Sequence, residues 1–107
     1  MVNNQKISGL IGLATKAGKI AAGTEACLQE IEKKSVKLII LATDAADRTK
    51  KIFKQKCKDF NIEIYEWLTI EELSNSIGRA NKAIVGIKDK GFAQAINKVI
   101  SGGEMIG

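Results

Sequence analysis

The chain of 107 residues contains no histidine, so the usual general base near neutral pH and the commonest metal ligand are both missing. Ser-His-Asp and Cys-His catalysis are thereby excluded. Cys27 and Cys57 have no second cysteine or histidine at metal-binding spacing, and both read as small buried apolar groups in a reducing, cytoplasmic setting. Carboxylate chemistry would fall to Glu25, Asp44 and Asp47. Each has an ordinary alternative: Glu25 facing the positive end of a helix, Asp44 closing a strand, Asp47 capping a helix. Gly9, Gly12, Gly18 and Gly23 do not form a dinucleotide fingerprint, and no phosphate-binding loop ending in Gly-Lys-Ser or Gly-Lys-Thr is present. The expectation is a protein without catalysis, metal or cofactor.

What remains is binding chemistry. Gly23 opens a helix, and a glycine there lets another backbone approach while the first free N–H groups face an anionic oxygen. A tight strand-to-helix turn is the alternative reading of the same residue, and local sequence leaves both open. Seventeen Lys plus Arg oppose twelve Asp plus Glu, a formal net charge of +5 and a pI near 9.3. Such an excess favours a polyanionic partner through counterion release. Lys50, Lys51, Lys54 and Lys58 form a ridge along one helix face, read either as a phosphate contact or as a solvated surface.

The elements that must position these residues follow from periodicity. Ile7, Leu10, Ile11 and Ala14 make one apolar stripe of a helix ending near Gly18, and a short strand follows over Lys19 to Ala22. A second helix runs from Thr24 to about Lys34, and Lys37 to Thr43 is a continuous aliphatic strand buried on both faces. Asp47 starts a third helix over Arg48 to Phe60, and Ile62 to Glu66 is a strand. Thr69 with Glu72 forms a capping box for a fourth helix ending near Ile77. Ala83 to Lys88 is a strand, Phe92 to Ile100 the last helix, and 101–107 a frayed tail.

The length suits one domain over 1–107, and no proline, linker or repeat divides it. The longest run of large aliphatic residues, Leu38 to Leu41, is far too short to span a bilayer. The apolar stretch Ile7 to Ala14 loosely imitates a secretory signal, but Lys16 and Lys19 fall where its cleavage region should lie. The alternating order α-β-α-β-α-β-α-β-α predicts an α/β fold with helices on both faces of a mainly parallel sheet. Ligands then bind at the carboxyl ends of the strands, which places Gly23 to Glu25, Asp44 to Asp47 and Asn75 to Lys82 together.

Three segments carry a resemblance: Gly9-Leu10-Ile11-Gly12-Leu13-Ala14-Thr15-Lys16-Ala17-Gly18-Lys19; Gly23-Thr24-Glu25 with Val36 to Ala45; and Ile77-Gly78-Arg79-Ala80 with Ala83 to Lys88 and Gly91-Phe92-Ala93. Together they resemble the ribosomal L-seven-Ae and L-thirty-e superfamily, in particular its bacterial YlxQ-like members, over about residues 5 to 98. The resemblance implies a three-layer α/β/α sandwich with a four-stranded, mainly parallel or mixed sheet. It also implies binding to kink-turn or similarly bent RNA at the start of the second helix.

The family's pattern at that helix is Gly, a small residue, Asn, Glu, two variable positions and Lys. Gly23 and Thr24 match, whereas Glu25 replaces the Asn, Ala26 the Glu and Gln29 the Lys. Asn donates and accepts at a base edge, whereas Glu only accepts and Ala26 does neither through its side chain. The loop from Asn81 to Ala83 is also short against the family. The RNA-facing set expected is Lys16, Lys19, Gly23, Thr24, Glu25, Gln29, Asp44, Arg79, Asn81 and Lys82, with the lysines and arginine on phosphates. Two functions follow as expectations. One is a monomeric, cytoplasmic RNA-binding protein on ribosomal or other structured RNA; the other is a protein-interaction module that kept the fold and lost specific RNA recognition.

Overall fold

The computed structural model describes residues 2–102. Its elements run α1 (Val2–Lys16), β1 (Ile20–Ala22), α2 (Thr24–Glu32), β2 (Leu38–Leu41), α3 (Asp47–Phe60), β3 (Glu63–Glu66), α4 (Ile70–Ile77), β4 (Ile84–Ile87) and α5 (Lys90–Ile100). All the expected elements are present in the expected order. Of the expected frayed tail, Ser101 and Gly102 form a turn, and 103–107 lie outside the described residues.

Local chemistry explains the boundaries. α1 stops where Gly18 takes a left-handed φ of 71°, and the Lys19 N–H reaches back to the Ala14 carbonyl at 2.9 Å. The capping box of α4 is complete: Glu72 N–H donates to Thr69 Oγ1 at 3.1 Å, and Thr69 N–H to Glu72 Oε1 at 2.9 Å. Asp47 does not cap α3. It is the first helical residue, Ala46 holds the cap position without a side-chain bond, and the Asp47 charge acts only on the helix dipole. The cap of α5 is Asp89, whose Oδ2 accepts from Phe92 N–H at 2.9 Å and starts that helix two residues earlier than periodicity places it.

The four strands lie in the order β1-β4-β2-β3. β2 pairs with β3 in parallel, while β4 runs antiparallel to both β1 and β2. The sheet is thus mixed, with its parallel part confined to the β2-α3-β3 unit. The layer rule assumes that each helix carries the chain back to the starting edge of the sheet. α4 does not. Asp44 holds its first N–H, and its Ser74 holds the residue that leads into β4, so both ends stay where β3 finished and β4 must run back.

α2 and α3 pack together on one face of the sheet, and α1 packs against α4 and α5 on the other. Between these layers every residue of β2 and β4 is buried. Phe53, Ile7, Ile11, Ile31 and Ile96 close on them from the helices, all fully buried. Burial of each such side chain stabilises the fold by roughly 1.5–3 kcal/mol.

Both thiols belong to this core. Cys27 donates to the Ala21 carbonyl at 3.3 Å, and burial pushes its pKa up to about 12; burial likewise raises Cys57 to about 11. Both cysteines are free. Because the folded-state values lie above the ordinary 9.0, the native state holds its thiol protons longer than the unfolded chain. This stability is fully present below pH 9 and is lost as pH rises toward 11 and 12. The folded protein should therefore resist iodoacetamide at pH 8 and react at both thiols in urea, and its urea midpoint should fall between pH 9 and 11. Rapid native alkylation would contradict this placement. Thr69→Ala should cost about 1 kcal/mol in the same urea assay, and an unchanged midpoint would show that the box does not hold α4.

Candidate nucleic-acid interface

The ends of β1, β2 and β3 and the beginning of β4 meet at one edge of the sheet. Gly23 leaves β1 with φ 93° and ψ 166°, a region essentially reserved to glycine. Its N–H donates to the Ile84 carbonyl at 2.9 Å, and its own carbonyl accepts from Cys27 N–H at 3.0 Å. The turn therefore ties the end of β1 to the start of β4 and opens α2 in one step. Thr24 and Glu25 are exposed in the first turn of that helix, and Gln29 is exposed one turn further along.

A Cβ at position 23 would stand 3.4 Å from the Lys82 Nζ and 3.5 Å from its Cδ. The lysine thus lies over the helix start. It is held there from behind: Lys82 N–H donates to Ser74 Oγ at 2.8 Å, and that hydroxyl donates to the Lys82 carbonyl at 3.3 Å. Ser74 itself is buried. No ion pair neutralises Lys82 among the described residues, so an unpaired ammonium group stands beside the positive end of α2. Two positive features converging on one point favour an anionic oxygen there.

Next to this point lies an open groove of about 710 Å³, lined among others by Asp44, Ile70, Asn75, Arg79 and Asn81. Its wall is a turn with two left-handed residues, Gly78 at φ 69° and Asn81 at φ 56°. Arg79 N–H donates to the Ser74 carbonyl at 3.1 Å, and its side chain is exposed. Asp44 is partly committed elsewhere, because its Oδ1 accepts from Ile70 N–H at 2.8 Å. It serves as a second cap on α4 and lies in a turn beyond the strand that it was expected to close.

Gly23, Thr24, Glu25, Asp44, Arg79, Asn81 and Lys82 therefore come together at one edge. Lys16 and Lys19 do not join them. The Lys19 carbonyl accepts from Lys88 N–H at 2.8 Å at the beginning of β1, four residues and about 13 Å of strand from Gly23. Arg48, exposed in the first turn of α3, does lie at the edge where β2 ends. Its place after a strand's carboxyl end was the signal that could have found it. The lysine ridge of α3 is partly spent on structure: Lys54 and Lys50 bind Glu66 at 2.6 and 3.0 Å and hold its carboxyl below the ordinary range. Lys50 also donates to the Thr43 carbonyl at 2.7 Å.

Residues 5–97 match the model of the Ribosomal protein L7Ae/L30e/S12e/Gadd45 family, and the chain belongs to that family. It is 36% identical over 100 residues to the RNA-binding protein YlxQ of Enterococcus faecium, covering 94% of this chain and 96% of that protein. It is 34% identical over 92 residues to the RNA-binding protein YlxQ of Bacillus subtilis (strain 168), covering 86% and 89%. Among solved structures, a protein of unknown function from Bacillus halodurans C superposes with a TM-score of 0.86 at 30% identity, over 90% of this chain and 97% of that one. The Giardia lamblia 15.5kD RNA binding protein shares the fold, with a TM-score of 0.79 at 14% identity over 100% and 92%.

Gly23→Ala should destabilise the protein by about 1–3 kcal/mol through backbone strain alone. Lys82→Gln should leave the melting temperature unchanged or slightly higher, since it removes a cation from a helix's positive end. A clear loss of stability in the lysine variant would mean that Lys82 has a carboxylate partner.

Proposed function

We propose that this protein is a non-catalytic RNA-binding protein that recognises bent, kink-turn-like RNA with the Gly23 edge and acts in the cytoplasm on ribosomal RNA. The observation that carries the reading is the Lys82 ammonium lying over the glycine start of α2. A phosphate at that point receives backbone N–H groups and a cation together. Arg79 and Arg48 flank it as further phosphate contacts. The curated relatives, named as RNA-binding proteins, support the same reading.

Base recognition falls to the first turn of α2. Glu25 accepts from amino or imino groups, so it selects guanine edges rather than reading donor and acceptor together. Ala26 adds no side-chain bond and Gln29 no charge. The expected result is binding to a bent RNA that is weaker than the family's pattern would give. Titrations should show tighter binding to a kink-turn RNA than to a plain duplex of equal length, and Lys82→Gln should weaken both. Glu25→Asn, Ala26→Glu and Gln29→Lys together should strengthen kink-turn binding at least tenfold. Equal, wholly salt-sensitive binding to the two RNAs, unmoved by the triple change, would refute the reading.

The same three departures favour a second reading, a protein-interaction module on the same fold. Partners recovered from cell extract that survive RNase treatment would support it, and partners lost with RNase would reject it.

A further inference from the structure

The positive charge of the chain is not where the helix start is. Along the Gly23 edge the carboxylates Glu25, Asp44, Asp47, Glu71 and Glu72 stand among the cations Arg48, Arg79 and Lys82, and Lys50 and Lys54 are paired with Glu66. The excess lies at the other end of the strands. Sheet register aligns Ile20 with Ile87 and Ile87 with Leu38, so the next residues outward, Lys19, Lys88 and Lys37, form one row across three neighbouring strands. Two hydrogen bonds fix that row: Lys88 N–H to the Lys19 carbonyl at 2.8 Å and Lys37 N–H to the Ile87 carbonyl at 2.7 Å. At a strand spacing of about 4.8 Å, three lysine backbones fit within roughly 10 Å.

α5 extends the row. Lys90 begins that helix, and Lys90 and Lys98 line one depression with Lys37. The acids nearby are already engaged. Asp89 caps α5, and Glu63 accepts from Asn97 Nδ2 at 2.9 and 3.0 Å. Glu30 accepts from Ser35 Oγ and meets Lys33 and Lys88 at 3.5 and 3.6 Å. Lys19, Lys37, Lys90 and Lys98 make no ion pair among the described residues.

We infer that this lysine row, at the sheet edge opposite Gly23, is a second nucleic-acid surface that grips the phosphodiester backbone of a duplex RNA segment without reading sequence. Flexible ammonium groups in a row neutralise successive phosphates, the chemistry of shape-tolerant backbone binding. Because the two edges face away from each other, the segment held here is a different one from that at Gly23. The protein then joins two RNA elements.

Salt titration with a plain RNA duplex and with a kink-turn RNA tests this on the full chain. Lys19→Gln, Lys37→Gln, Lys90→Gln and Lys98→Gln combined should reduce the slope of log affinity against log salt on the plain duplex by about 3, from roughly 0.7–0.9 per contact. None of the four side chains makes an ion pair among the described residues, so the melting temperature should hold. Protein loaded with one equivalent of unlabelled kink-turn RNA should still recruit a fluorescent duplex, and the quadruple variant should not. An unchanged slope would overturn the inference. So would failure of the one-to-one kink-turn complex to recruit the duplex, or a variant that loses binding to anionic phospholipid vesicles while keeping its duplex affinity. Failure of the Gly23 reading is distinguishable: the two RNAs would bind equally while the slope change persists.

Discussion

The hydrogen bond from Gly23 to Ile84 carries the arrangement at the candidate site. It joins the end of β1 to the start of the strand that runs the opposite way, and it does so from a backbone conformation that any side chain would strain. Without that turn α2 could not begin directly at the sheet edge, and Lys82 could not lie across its first residue. The turn demands the glycine's φ, whereas a Cβ there would meet the Lys82 side chain only at ordinary contact distance, 3.4 to 3.9 Å.

The second constraint is the reversal at β4. A helix that returned the chain to the far edge would have placed the 78–82 turn away from α2. Ser74, buried and bonded to both backbone groups of Lys82, keeps it near. Buried hydroxyls without partners are costly, so this reciprocal pair both satisfies Ser74 and fixes the position of a cation. Asp44 acts similarly from the other side by holding Ile70. In the groove between them Ser74 Oγ and Asp44 Oδ1 are engaged with backbone groups, and Arg79 at its rim stays exposed and without an ion pair among the described residues.

Features that depend on neighbours in sequence were legible there. The Thr69 and Glu72 box, the glycine end of α1 and the buried aliphatic run of β2 are local, and each stands where periodicity and capping chemistry put it. Features that depend on topology were not. Lys16 and Lys19 lie near Gly23 in sequence and at the other end of β1 in space, because a strand carries the chain across the sheet. The row of Lys19, Lys88 and Lys37 arises only from register between strands far apart in the chain. Asp47 had the residue type of a cap, yet the helix begins one residue too early for its carboxylate to serve.

The most direct measurement is a titration of isotope-labelled protein with a kink-turn RNA, followed by backbone amide chemical shifts. The account predicts that Thr24, Glu25 and Ala26 at the start of α2 shift most, together with Asn81 and Lys82 in the facing turn. Shifts confined to the opposite edge around Lys19, Lys37 and Lys90, with the α2 start unmoved at saturation, would contradict it.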